Sequence, residues 1–116
     1  DGYAASPLCS PTRASIMSGQ YPSRLRMTVA ITPKNKFEPK ALPPKKNEYC
    51  GFVESRNHLP LEIVTLPEAL KGAGYQTAHI GKWHLEPVKG GWKEGDERFS
   101  AEHFGFDFVI GGRYLP

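Results

Sequence analysis

At 116 residues, 39% of them apolar and 23% charged, the chain is long enough for one small domain with a real core and too evenly mixed to be disordered. A net charge of +3 spread over scattered basic residues leaves no footprint for nucleic acid. No apolar run approaches the ~20 residues of a membrane span, and Asp1-Gly2-Tyr3-Ala4-Ala5 has neither the basic start nor the apolar core of a signal peptide. Two cysteines, Cys9 and Cys50, make neither a metal site nor a disulfide framework, although counting alone permits a bridge between them.

Residues 2–8 read as a short strand or extended run that delivers the chain to Cys9, with Pro7 biasing Ser6 toward extended geometry. Ser10 is a favoured N-cap and Pro11 suits the first helical position, so a short helix is predicted from there to a stop at Gly19. Cys9 would then sit at the positive end of a helix macrodipole, where backbone N–H groups favour an anion. Arg13, about one turn on, can fold back to offer an oxyanion its planar fork. A lone cysteine before a helix is more often a small packing residue than a nucleophile, so the position alone does not assign it a role.

Gln20-Tyr21-Pro22-Ser23-Arg24 reads as a turn out of the helix. Residues 33–60, with Pro33, Pro39, Pro43, Pro44 and Pro60 among Lys34, Lys36, Lys40, Lys45 and Lys46, lack periodicity and are expected to form a loop or insertion. Its lysines are better explained as a solvated charge run than as a steering patch for an anion. Thr65-Leu66-Pro67-Glu68 is a capping box, and Leu66, Ala69, Leu70 and Ala73 follow as one apolar helical stripe that stops at Gly74. Tyr75 to Ile80 then reads as a strand, so that helix, glycine turn and strand make half of an α/β crossover unit in a mostly parallel sheet.

Gly81-Lys82-Trp83-His84-Leu85 follows that strand. If extended geometry persists, Lys82 and His84 share one side with Trp83 opposite, beyond the carboxyl end of the strand where open α/β sheets bind ligands. A cation beside an imidazole suits a tetrahedral anion such as sulfate or phosphate. Taken alone, a Lys and a His two apart are more often plain polar surface. His79 points the other way and is expected to be structural; His58 and His103 are expected to be packing or surface residues. The aromatic run His103-Phe104-Gly105-Phe106-Asp107-Phe108 is expected to serve the core.

Cys9-x-Pro11-Thr12-Arg13, with its small-residue helix and Gly19, resembles the signature of the type I, formylglycine-dependent sulfatases of the alkaline phosphatase superfamily. Gly74-Tyr75-x-Thr77 followed by Gly81-Lys82-Trp83-His84-Leu85 resembles the second signature of that family nearly residue for residue, and residues 103–112 resemble its next strand. Members are several times longer and this sequence has no initiating methionine, so it is read as an internal piece of the N-terminal region, residues 1–116 belonging to one catalytic domain. The resemblance implies an α/β fold, part of an alkaline-phosphatase-like sandwich whose mostly parallel sheet is flanked by helices.

It also implies a sulfuric ester hydrolase. In the family the signature cysteine is oxidised to formylglycine, whose aldehyde hydrates to a geminal diol. One hydroxyl attacks sulfur; the other then loses its proton to expel sulfate and restore the aldehyde, which divides one hard displacement into two easier steps. By resemblance Cys9 is the precursor of that nucleophile and, as formylglycine, a ligand to a divalent cation, usually calcium. Arg13 holds the formylglycine, Lys82 contacts diol and sulfate, and His84 bonds the diol and assists proton movement. The implied partners are a sulfated small molecule or carbohydrate and the formylglycine-generating maturation enzyme, in an exported setting (periplasmic, extracellular or lysosomal).

The sequence departs from the family in lacking its early pair of aspartates and its later Asp-Asn pair. Asp1, Asp96 and Asp107 match no ligand motif, so the remaining metal ligands are expected outside this sequence and the piece alone is expected to be inactive. Two alternatives stay open: a phosphonate or phosphate ester hydrolase of the same superfamily, and a non-catalytic pseudoenzyme or binding module with Cys9 unmodified.

Overall fold

The computed structural model describes residues 1–35, 41–44, 52–88 and 96–111. Residues 1–8 form no strand; the chain stays irregular until Leu8, whose extended backbone is the cap of α1, Cys9–Ser18. The helix therefore begins two residues before the expected position, and Ser10 is not its N-cap. Ser10 instead turns into the core with Pro11 and Ala14, the buried stripe of α1. The predicted stop holds: Gly19 takes φ 65°, a left-handed conformation that suits glycine, and its N–H closes on Ser15 O at 2.8 Å.

What reads as a turn contains a one-turn helix, α2 (Pro22–Leu25), opened by proline at its first position and ended by Arg26 in the left-handed region. Beyond it Met27 and Ile31 are fully buried. Within 33–60 the structure places a short antiparallel pair, β1 (Ala41–Leu42) with β2 (Phe52–Val53). The following segment packs inward: Arg56 N–H bonds Arg26 O at 2.7 Å, and Leu59 N–H bonds Leu85 O at 2.9 Å. Cys50, Lys36, Lys40, Lys45 and Lys46 lie outside the described residues.

The capping box forms as read. Helix α3 (Leu66–Gly72) has the Thr65 N–H donating to the Glu68 carboxylate at 2.7 Å, and the Thr65 hydroxyl lies 2.7 Å from Phe104 O. At its other end Gly74 N–H reaches Lys71 O and Tyr75 N–H reaches Leu70 O, with Gly74 at φ 86°, which closes the helix as a Schellman motif. The expected apolar stripe does not become core. Leu66, Ala69 and Ala73 are exposed, and Leu66 and Leu70 instead line an apolar groove with Met17, Ile80 and Phe106. Helix α3 is held by its ends.

The predicted strand is shorter than the pattern: only β3, Ala78–Ile80, is extended and paired. It lies parallel to β4 (Phe108–Ile110) in the register Ala78 to Phe108, His79 to Val109 and Ile80 to Ile110. Asp107 locks the entry, taking Thr77 N–H at 2.9 Å and pairing with Lys71 at 2.6 Å. Two 3-10 turns, Glu97–Phe99 and Glu102–Phe104, precede β4. A parallel sheet with helices makes this an α/β fold.

One core gathers Ala14, Leu25, Met27, Ile31, Leu59, Trp83, Leu85, Val88, Phe99, Ala101 and Phe104. Phe104 and Phe106 serve it as expected, whereas Phe108 (57% exposed), Ile80 and Ile110 stand on the open face of the sheet. His58 is buried against Phe99, ring centroids 4.6 Å apart, and is a packing residue as expected; His103 is exposed. No helix among the described residues is long and apolar enough to cross a membrane.

Two outcomes follow from this packing. Gly105 sits at φ 95°, and a Cβ there would stand 2.6 Å from Glu68 Cγ and 2.9 Å from Glu68 N, a main-chain atom fixed by the capping box. Gly105→Ala is expected to lower stability by about 1–3 kcal/mol in equilibrium unfolding. Burial, then the charge of Arg56, pulls the His58 pKa from 6.5 to about 4, so the native ring stays neutral where the unfolded one binds a proton. Stability is then level above about pH 6.5, falls as pH drops toward 4 and levels again below. His58→Gln should flatten that slope in unfolding midpoints measured across the same window.

Candidate active site

The first turn of α1 is fixed from outside and from below. The Thr12 hydroxyl donates to Ser6 O at 2.6 Å and ties the incoming chain across the helix start. Ser10, with no exposed surface, anchors the turn in the core. Cys9 is left half-buried with its Sγ 3.3 Å from Nδ1 of His84.

The second stretch approaches from the end of β3. Gly81 (φ 100°) and His84 (φ 56°) both take left-handed backbone, so the chain bends rather than extends. Lys82 and His84 are consequently not the same-side pair of an extended strand, because alternation ends where His84 turns. Trp83 drives the bend: it is buried and its indole N–H donates to Phe99 O at 2.8 Å. His84 is delivered to the start of α1, and Arg13 reaches across to donate from Nη1 to the Lys82 carbonyl at 2.5 Å. Lys82 is half-buried. Cys9 and His84 thus meet side chain to side chain, while Arg13 and Lys82 meet through the Lys82 main chain.

His84 is 3% exposed and held on both ring nitrogens. Nε2 lies 3.1 Å from Ile31 O, and Nδ1 lies 3.3 Å from both Cys9 Sγ and Ser10 Oγ. Burial keeps its pKa below the ordinary imidazole value; the bond to Ile31 O opposes this, and the charges of Lys82 and Arg13 add to it. A neutral imidazole facing a thiol is an acceptor for a proton from residue 9.

His79, taken from the sequence as structural, packs edgewise on Trp83 and Phe106 at 5.4 and 5.3 Å between ring centroids. Arg13, Ile16, Met17, His79, Trp83 and Leu85 line a cavity of about 80 Å³; Cys9, Lys82 and His84 are not in its wall. Among the described residues no group of three or more His, Cys, Asp or Glu could hold a metal ion. The donors present therefore do not by themselves fit a divalent cation.

Sequence reasoning missed Ser10 and Ile31. Ser10 looked like a helix cap, and the contribution of Ile31 is main-chain N–H and C=O, which no side-chain motif announces.

Comparison with known proteins gives a consistent picture. The family model described as Sulfatase matches residues 1–115. N-acetylgalactosamine-6-sulfatase of Sus scrofa is 38% identical over 112 residues, covering 89% of this chain and 18% of that protein. Arylsulfatase A of Bos taurus is 35% identical over 116 residues, covering 98% of this chain and 18% of that protein. The solved structure of Ps i-CgsB in complex with k-i-k-neocarrahexaose shares the fold, with a TM-score of 0.62 at 22% identity over 97% of this chain and 20% of that one. The chain spans about a fifth of the length of these relatives. It belongs to the sulfatase family.

Proposed function

We propose that the protein hydrolyses sulfate esters through a formylglycine made from Cys9. The observation that supports this most directly is the contact between Cys9 Sγ and His84 Nδ1 at 3.3 Å, made by residues 75 positions apart that belong to the two signatures. A hydrated aldehyde in place of the thiol supplies a nucleophilic oxygen and a second hydroxyl that, on losing its proton, expels sulfate and restores the aldehyde.

The residues around it have separate tasks. His84 is neutral, buried and presents a lone pair to residue 9, so it takes and returns the proton of the diol. Arg13 holds the loop after β3 through the Lys82 carbonyl, and the charges of Arg13 and Lys82 both act on His84, the neighbour of residue 9. Lys82, with its flexible ammonium, is the residue for the sulfate oxygens. A divalent cation, calcium by the resemblance, would take from these residues only the position of Cys9; its other ligands come from elsewhere in the protein.

The substrate is a sulfated carbohydrate or small molecule. The names of the relatives, an N-acetylgalactosamine-6-sulfatase and an arylsulfatase, support this class. The partner that prepares the enzyme is a formylglycine-generating enzyme, and the setting is an exported one.

Mass spectrometry of the tryptic peptide ending at Arg13 tests the modification, since formylglycine is lighter than cysteine. The peptide from full-length protein co-produced with a maturation enzyme should carry the lighter residue; an unmodified thiol under those conditions overturns the reading in favour of a non-catalytic module. Turnover of a chromogenic aryl sulfate should exceed that of the matching aryl phosphate, and the reverse ranking assigns a phosphate ester hydrolase instead. Cys9→Ala should lower kcat by roughly a thousandfold or more. Arg13→Lys keeps the charge but loses the planar hold on Lys82 O, and should lower kcat by roughly 10–100-fold.

A further inference from the structure

The hydrogen bonds around His84 close a ring through the main chain of one residue. Ile31 gives its N–H to Ser10 Oγ at 3.1 Å and its carbonyl to His84 Nε2 at 3.1 Å, and Ser10 Oγ lies 3.3 Å from His84 Nδ1. With the buried ring neutral, each role in this ring follows. A carbonyl only accepts, so Nε2 carries the hydrogen. An amide N–H only donates, so Ser10 Oγ accepts there and its own proton is left for Nδ1. Nδ1 is then the unprotonated nitrogen, and its lone pair points to the shared position of Ser10 Oγ and Cys9 Sγ.

We propose that Ser10 is a positioning residue: with the Ile31 main chain it holds His84 in the Nε2–H tautomer and aims the Nδ1 lone pair at the side chain of residue 9. Ser10 and Ile31 have no exposed surface and His84 almost none, so the ring lies in the dry interior, where hydrogen-bond geometry is enforced rather than exchanged with water.

The arrangement leaves one lone pair facing two donors at equal distance. When the group on residue 9 gives its proton to Nδ1, the Ser10 hydroxyl yields that place without losing its bond from Ile31 N–H, so the ring nitrogen stays aimed. The tautomer claim stands on the hydrogen-bond geometry together with the neutral ring that burial favours; its consequence for turnover rests on the function proposed above.

The test is nitrogen NMR on the full-length protein with labelled histidine, at one fixed neutral pH. The wild type should show His84 as a single tautomer, with a pyrrole-like Nε2 and a pyridine-like Nδ1. Ser10→Ala should move both shifts toward the average of exchanging tautomers, and Ser10→Thr, which restores the hydroxyl, should bring them back. If Ser10→Ala does not fold, Ser10→Cys, with its weaker donor, should show the same movement to a lesser degree. A wild-type His84 protonated on Nδ1, or shifts unmoved in the variant, overturns the proposal. On the aryl sulfate, Ser10→Ala should lower kcat by roughly 10–100-fold with KM little changed. Equal loss in Ser10→Thr overturns the positioning role. Absence of formylglycine at residue 9, by contrast, defeats only the sulfatase mechanism and leaves the tautomer result standing.

Discussion

The site depends on a single buried imidazole that two other segments grip at once. His84 belongs to the loop after β3, its Nδ1 faces the first turn of α1, and its Nε2 is taken by the main chain at Ile31. Burial removes the alternative of bonding to water, so each of these contacts has to be made inside the protein. Around that requirement the neighbouring choices become intelligible. Ser10 is small and hydroxylated because it has to fit beneath the helix and satisfy Ile31 N–H, and Trp83 is large because it pins the loop from the opposite side.

The charged part of the site is arranged differently. Arg13 does not point freely into solvent; it is engaged with a carbonyl of the loop that carries Lys82. A guanidinium has five N–H donors, so one bond to the main chain leaves others available to an anion. The same residue can therefore stiffen the loop and contribute charge. This economy fits the preorganised electrostatics that group-transfer sites require.

Much of this was readable beforehand, for identifiable reasons. The capping box at Thr65 and the glycine stops at 19 and 74 are local devices whose partners lie within a few residues, and all three appear where the chain spells them. The two signatures were readable because they concentrate unusual residue types at fixed spacing. What was not readable depends on distant partners. Ser10 has the chemistry of an N-cap and lost that role to Leu8 because the core and Ile31 N–H claimed its hydroxyl. The apolar stripe of α3 promised burial, yet Leu66, Ala69 and Ala73 face outward, because helical periodicity says which residues share a side and not what that side meets. The strand at 75–80 shrank to three residues for a related reason: the Thr77 main-chain N–H goes to the Asp107 side chain rather than to a neighbouring strand.

The separation between Cys9 and His84 has a kinetic side. Their contact joins residues 75 apart, and Arg13 reaches Lys82 over 69. Closing loops of that size costs chain entropy that only the surrounding core can offset, and topologies rich in such distant contacts fold slowly. The glycine stop of the helix bearing the cysteine is local, but its first turn acquires its surroundings only when the loop carrying His84 has docked. The surroundings of residue 9 are thus a late arrival, gated by the docking of distant segments rather than by local order.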